Sequence, residues 1–349
     1  MKRILSMVLI MSLTVFAFAG CSEKPAETTE ETPAVEETAD GVKTGLAVIS
    51  SAEKSADAAE EDGLAQVDSI AVAVMVDADG KILKAEIDTA QTKVNFSKEG
   101  KLVTDKASEF KSKQELGTEY GMAKASTIGK DWADQANAFE TFVEGKTVEE
   151  VKSFSLDEET HLTDADMMAS VTIKVGPYIE AIEKAVANAQ VLGAGATDKL
   201  GLGLETTIEK SKDFDAAESK DGLAQVYTYY TATTFADDGV ITSSIIDASQ
   251  TNINFDATGK ITTDLTAALQ TKNELGDAYG MKSASGIGKE WNEQADAFSK
   301  YVVGKTAEEV GAIAVNEEGN ATDADVTASV TVGIVEFQTV VAKAFATAK

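Results

Sequence analysis

Ile70 to Val76 and Ile82 to Ile87 are runs of β-branched and apolar residues joined by Asp77-Ala78-Asp79-Gly80, a turn sequence, and together they predict a β-hairpin. Lys93-Val94-Asn95-Phe96 alternates polar and apolar positions and runs into a second turn at Gly100, so more extended chain is expected there. The period then changes. From Ile128 to Phe142 the apolar residues recur at helical spacing, and Gly145 stops them. Thr147 followed by Glu150 has the form of a capping box, in which the two side chains satisfy each other's helix N-terminal amides. Tyr178 to Ala189 reads as an amphipathic helix. Strands first and helices afterwards predict an α+β domain, a small antiparallel sheet followed by helices.

The same pattern is written twice. Asp62-Gly63-Leu64-Ala65-Gln66-Val67 returns as Asp221-Gly222-Leu223-Ala224-Gln225-Val226, an offset of 159 that holds without a gap to the last residue. Between Lys113–Thr147 and Lys272–Thr306, 21 of 35 positions are identical, Tyr120/Tyr279, Trp132/Trp291 and Ile128-Gly129-Lys130/Ile287-Gly288-Lys289 among them. A period this long is a domain and not a solenoid repeat. The expected limits are 43–190 for the first copy and 204–349 for the second. Between them 191–203 is read as a linker centred on the small residues Gly193-Ala194-Gly195-Ala196.

Ahead of the copies, Met1-Lys2-Arg3 is basic, Ile4 to Ala19 carries no charge, and Ala19-Gly20-Cys21 closes the run. This is the layout of a bacterial lipoprotein signal peptide over 1–20, with Cys21 as the lipidated new N-terminus. The uncharged run is shorter than the roughly 20 residues that a membrane-spanning helix needs. Residues 21–42 are rich in Glu, Thr, Ala and Pro without apolar periodicity, and read as a disordered acidic tether. These features place the chain on the outer face of the cytoplasmic membrane, attached through lipid.

Composition then removes chemistry. The formal charge is −28, and losing the two positive charges of Lys2 and Arg3 makes it −30. Arg3 is the sole arginine, so no basic face for nucleic acid is available. Cys21 is the sole cysteine and His161 the sole histidine. A Ser-His-Asp or Cys-His site in each copy, a multi-histidine zinc site and dithiol redox chemistry are therefore excluded. His161 itself reads as a surface residue.

One repeated segment offers chemistry. Thr163-Asp164-Ala165-Asp166-Met167-Met168-Ala169-Ser170-Val171-Thr172 recurs as Thr322-Asp323-Ala324-Asp325-Val326-Thr327-Ala328-Ser329-Val330-Thr331. In both, Asp-x-x-Ala-Ser-Val-Thr precedes the last helix. On these residues the chain resembles the FMN-binding domain family, whose motif is Asp-x-x-Ser/Thr-Gly-Ala-Thr, and its layout resembles the two-domain flavinylated lipoproteins of Gram-positive extracellular electron transfer. The resemblance implies that a flavin transferase joins FMN, from FAD, through a phosphoester to Thr172 and Thr331, two per chain. Asp166 and Asp325 match the motif aspartate. Ser170 and Ser329 stand at its Gly, and Ala169/Ala328 and Val171/Val330 also depart from it. Lys124, Lys130 and Lys289 are the expected counter-charges for phosphate, and Trp132, Trp291, Tyr120 and Tyr279 the candidate ring contacts.

The residues by themselves leave alternatives open. Thr, Asp and Ser are common helix caps, so the segment can be structural. Val171-Thr172-Ile173 can be an edge strand. Thr163 to Asp166 is acidic but lacks the Gly and terminal Glu of an EF-hand loop. The expected function is an electron carrier more than a catalyst with its own substrate. It would take electrons from a membrane donor and pass them to an external acceptor such as ferric iron. The competing expectation is a surface lipoprotein that binds a small ligand or a partner without redox chemistry.

Overall fold

The computed structural model describes residues 41–349. The expected signal peptide, Cys21 and the expected tether up to residue 40 lie outside the described residues. Each copy is α+β, a three-stranded antiparallel sheet in the order of the sequence followed by helices. The first holds β1 (Lys43–Ser51), β2 (Gly63–Val76), β3 (Ile82–Phe96), α1 (Lys113–Leu116), α2 (Trp132–Val143), α3 (Val148–Lys152), α4 (Ala165–Met168) and α5 (Gly176–Ala187). The second repeats them as β4 (Lys199–Thr207), β5 (Gly222–Phe235), β6 (Ile241–Phe255), α6 (Lys272–Leu275), α7 (Trp291–Val302), α8 (Ala307–Gly311), α9 (Ala324–Thr327) and α10 (Val335–Thr347). Lys43 corresponds to Lys199, an offset of 156, and Gly63 to Gly222, an offset of 159, so the second copy carries three more residues between its first two strands.

The strands outrun the expected hairpin because both faces of the sheet are covered. Val72, Val74 and Val76 of β2 pack with Trp132, Phe139 and Ile182 of the helices. The intervening Ala71, Ala73 and Met75 pack with Leu200, Leu202 and Tyr230 of the second sheet. A strand buried on both faces loses the apolar–polar alternation by which a half-exposed strand is recognised. Lys93–Phe96 is the end of β3 and not a separate strand. β1 and β4 close the sheets at positions where the helices lie very close. A Cβ on Gly45 would meet the Ala185 carbonyl oxygen at 2.1 Å, and one on Gly201 would meet that of Ala344 at 1.9 Å.

The two sheets pack face to face, with helices on their outer faces. Their contacts are reciprocal. Phe214 N donates to Gly100 O (2.7 Å), as Ala58 N does to Gly259 O (2.8 Å). Asp213 accepts from Leu102 N (2.9 Å), as Asp57 does from Ile261 N (2.7 Å). Lys184 pairs with Glu274 (2.5 Å) and its counterpart Lys343 with Glu115 (2.7 Å). This is the signature of an isologous two-fold interface, here within one chain. The equivalent residues Phe96 and Phe255 stack on each other at that axis, centroids 4.2 Å apart and planes within 5°. Gly63 and Gly222 make room for the stack: a Cβ there would fall 2.3 Å and 2.1 Å from the Phe96 and Phe255 rings.

Several expected limits shift. Val42 is buried among the inter-sheet residues, so the tether stops short of it. The linker 191–203 gives its last five residues to β4. What precedes β4 is ordered by hydrogen bonds: Asp198 accepts from Gly195 N (2.8 Å) and the Thr242 hydroxyl (2.5 Å), and Ala194 is buried between the sheets. The helix expected from Ile128 begins at Trp132, because Gly129 sits at φ +65° and turns the chain before it. The capping box at Thr147 and Glu150 forms as expected.

Gly63→Ala is expected to destabilise the chain by about 1–3 kcal/mol in urea unfolding, through overpacking against Phe96. The same change in a Phe96→Ala background is expected to cost less, since the ring it strikes is gone.

Candidate functional site

The motif segments fold as single-turn helices, α4 and α9, and not as edge strands. Asp164 caps the first, its carboxylate accepting from Asp166 N (3.0 Å) and Met167 N (3.1 Å), and Asp323 does the same for Asp325 N (2.9 Å). The carboxylates of Asp166 and Asp325 are exposed in the first turn, where the helix N-terminus favours negative charge. Ser170 and Ser329 are half-buried and close the turn through backbone bonds to Met167 O and Val326 O, both 3.0 Å. Val171 and Val330 are buried in the helix-facing core, which explains a bulkier residue there than the motif's Ala.

Thr172 and Thr331 are held in one way. The Gln135 side-chain oxygen accepts from Thr172 N (2.7 Å) and from the Thr172 hydroxyl (3.0 Å). Gln294 accepts from Thr331 N (2.8 Å) and its hydroxyl (3.2 Å). Each amide nitrogen then donates to the loop before its helix, Gln135 to Lys130 O (3.0 Å) and Ser126 Oγ (3.2 Å), Gln294 to Lys289 O and Ser285 Oγ (both 3.2 Å). Both carboxamides are fully buried with every hydrogen-bonding capacity in use. The hydroxyl proton thus points at a neutral amide, which is no base, and activation as a nucleophile has to come from outside this chain. Sequence reading passed over Gln135 and Gln294. The available signal was a polar residue kept in both copies on the stripe Trp132, Ala136, Phe139, Val143 that faces the core.

In the first copy Thr172 lies on the wall of a cavity of about 540 Å³. That size lies within the roughly 300–1,000 Å³ of small-molecule sites. Lys113, Tyr120, Trp132, Tyr178 and His161 share the wall. The Trp132 indole N–H donates to the Tyr178 hydroxyl (3.0 Å), fixing both rings, and Lys113 Nζ stands 4.8 Å from the Tyr120 ring centre and 5.2 Å from that of Trp132. Burial pushes Tyr178 up to about 12, so its hydroxyl stays protonated. Lys54 and Asp68 pair across another part of the wall at 2.7 Å. Burial raises the Asp68 carboxyl, but bonds from Lys54 and Gln66 outweigh it and hold the group below its usual value. The lysines lining the cavity are Lys54, Lys113 and Lys174. Lys124 and Lys130, the expected counter-charges, do not line it: Lys124 is exposed on the loop, and the Lys130 carbonyl serves Gln135. His161 is on the cavity wall instead of the open surface, its Nδ1 3.1 Å from Asp157 Oδ2.

The second copy differs. Tyr227 and Tyr229 occupy the positions of Asp68 and Ile70, stacked with centroids 4.4 Å apart. Lys272, the counterpart of Lys113, is only 3% exposed, with Nζ 4.4, 4.2 and 4.8 Å from the ring centres of Tyr227, Tyr279 and Trp291 and a hydrogen bond to the Tyr227 hydroxyl. Burial lowers its amine to about 7, against the opposing field of Asp247. Trp291 also packs edge-on to Phe337, which replaces Tyr178.

Among the described residues no group of three or more His, Cys, Asp or Glu is placed to hold a metal ion, and no helix is long and apolar enough to cross a membrane. No family model matches the chain, and no solved structure matches it. A chlorophenol reductase of Desulfitobacterium hafniense is 54% identical over 41 residues. The match spans 12% of this chain and 12% of that protein's length.

Because the folded state binds the Lys272 proton near pH 7 and the unfolded chain near its ordinary 10.5, folding expels a proton between these values. Glu86, whose carboxyl burial raises to about 8, works against this up to that pH, but Lys272 itself contributes stability that rises with pH from 7 to 9, by up to about 1.4 kcal/mol per unit. Urea unfolding of Lys272→Met is expected to lack this slope.

Proposed function

We propose that the chain is an extracellular electron carrier, anchored through Cys21 to the outer face of the cytoplasmic membrane, with FMN joined to Thr172 and Thr331. The observation that best supports this reading is the Thr172 hydroxyl on the wall of an aromatic, lysine-lined cavity, held by a buried glutamine that both copies keep. Bound flavin supplies reversible one- and two-electron chemistry, and the protein positions it and sets its surroundings.

The residues present suit that group in the first copy. Tyr120 and Trp132 give aromatic surface, Lys54, Lys113 and Lys174 give positive charge for a phosphate, and Gln135 orients the hydroxyl. Gln135 takes no proton from that hydroxyl, so the proton has to pass to a base on the flavin transferase. A membrane donor would reduce the carrier and an external oxidant such as ferric iron would drain it. The short likeness to a protein named as a reductase is in keeping with redox work but spans too little to carry it. The second reading is a binding lipoprotein without redox chemistry, which the closure of the second copy around Lys272 favours.

Intact mass of the protein lacking its lipid anchor, co-expressed with a flavin transferase, decides between them. A gain of two FMN units is expected, falling by one in Thr172→Ala and by one in Thr331→Ala. No gain, in a host that flavinylates a control protein, would remove covalent flavin and leave the binding reading.

A further inference from the structure

The repeat makes the two sites comparable position by position, and the comparison separates them. Asp68 pairs with Gln91 across β2 and β3, and Tyr227 with Gln250 across β5 and β6, so the two residues occupy one place in the register. Two positions on, Ile70 becomes Tyr229. Both changes put an aromatic ring where the first copy has its cavity. The two rings stack on each other, and Tyr227 also faces the ammonium of Lys272.

We infer that the first copy alone admits a planar aromatic anion beside its threonine, and that in the second copy the corresponding space is taken by the stacked rings of Tyr227 and Tyr229, the first of them closed onto Lys272. Three observations agree on it. The first is space: the first copy keeps about 540 Å³ open beside Thr172, whereas its counterpart lysine in the second copy is only 3% exposed. The second is the use of the ring faces. Lys113 stands over Tyr120 and Trp132 as Lys272 stands over Tyr279 and Trp291, but only the second copy adds the ring of Tyr227 against the lysine and the ring of Tyr229 stacked behind it. The third is charge. Lys113, though it lies over two rings, is half-exposed on the cavity wall where an anion can reach it, whereas Lys272 is buried. In the second copy Lys174 and Pro177 become Gly333 and Glu336; burial first, and then the nearby Glu336 carboxylate, raise the hydroxyl of Tyr229, so an anion meets a negative charge there.

The identity of the anion as a flavin rests on the reading proposed above; the inequality of the two sites does not. Both threonines give their amide and hydroxyl to a buried glutamine, so both can serve as acceptors for a transferase. Their flavins would still differ: the ring on Thr172 has a cavity to enter and the ring on Thr331 stays in solvent. One chain would then carry a sheltered flavin and an exposed one.

The test uses protein made without a flavin transferase, titrated with free FMN and followed by calorimetry and by quenching of flavin fluorescence. One FMN per chain is expected. Asp68→Tyr combined with Ile70→Tyr, which writes the second copy's residues into the first, is expected to weaken binding by roughly tenfold or more. Tyr227→Asp combined with Tyr229→Ile is expected to open a second site. Two equal sites, no binding, or binding untouched by the filling variant would overturn the inference. If a double variant does not fold, flavinylated protein supplies a second readout. Iodide should quench the flavin of Thr172→Ala, which keeps only Thr331, more strongly than that of Thr331→Ala, and equal quenching would overturn the inference. FMN binding once per chain without any covalent mass gain sinks the covalent reading alone. Mass gain with two equal sites sinks the inference alone.

Discussion

Everything in this molecule follows from a three-stranded sheet with two apolar faces. Helices α2 and α5 cover one face, and α7 and α10 do so in the second copy. The other face carries Val42, Leu46, Ala71, Ala73 and Met75, which no helix of the same copy reaches. Exposed, such a surface would be an association site. Duplication supplies the cover: the second sheet presents Leu200, Leu202, Leu204 and Tyr230 to it, and the Phe96–Phe255 stack closes the far end. The result is one folded body in four layers, helices, sheet, sheet, helices.

That arrangement decides where ligands can go. The seam between the sheets is filled by side chains and by a chain of hydroxyls running from Thr44 through Ser243, Thr234 and Thr242 to Asp198, every step 2.7 Å or less. Buried polar groups that are all satisfied fix one register of one sheet on the other. Lysines carry opposite charge across this seam. Lys184 and Lys343 cross it in reciprocal pairs, and Lys349 reaches Glu86 and Glu140 at 3.1 and 2.7 Å. Burial and the neighbouring Glu140 raise the Glu86 carboxyl, and Lys349 offsets part of that cost. One opening of about 470 Å³ lies at the edge of the seam, between Lys184 and Glu274, and the cavity beside Thr172 opens toward the helical layer, where the loops before α2 and α5 meet.

At that meeting point α2 acts as a fixed axle. Its buried stripe anchors the helix on the sheet, and Gln135 reaches from the same stripe to both the preceding loop and Thr172. The threonine is therefore placed by the core, not by its own loop. The duplication preserved this device in Gln294 while changing the strand residues opposite it, so the anchor stayed constant as the space around it diverged.

Much was legible in the sequence. The repeat, the α+β class, the capping box at Thr147 and the amphipathic last helix rest on local periodicity and local hydrogen bonding, which a sequence carries directly. β1 was not legible: Lys43 to Ser51 is short, contains Gly45, and borders a tether-like segment, and only the helix carbonyl pressed against Gly45 shows why a glycine belongs there. The true length of β2 was hidden because burial on both faces erases alternation. Thr172 and Thr331 were legible as a repeated motif, whereas Gln135, the cavity and its lysines were not, since they come from segments far apart in the chain. The sequence determined the elements and the duplication, because those depend on neighbours along the chain. Tertiary structure alone decided which lysines line a cavity and which copy stays open, because both depend on residues that meet only after the sheets and helices have packed.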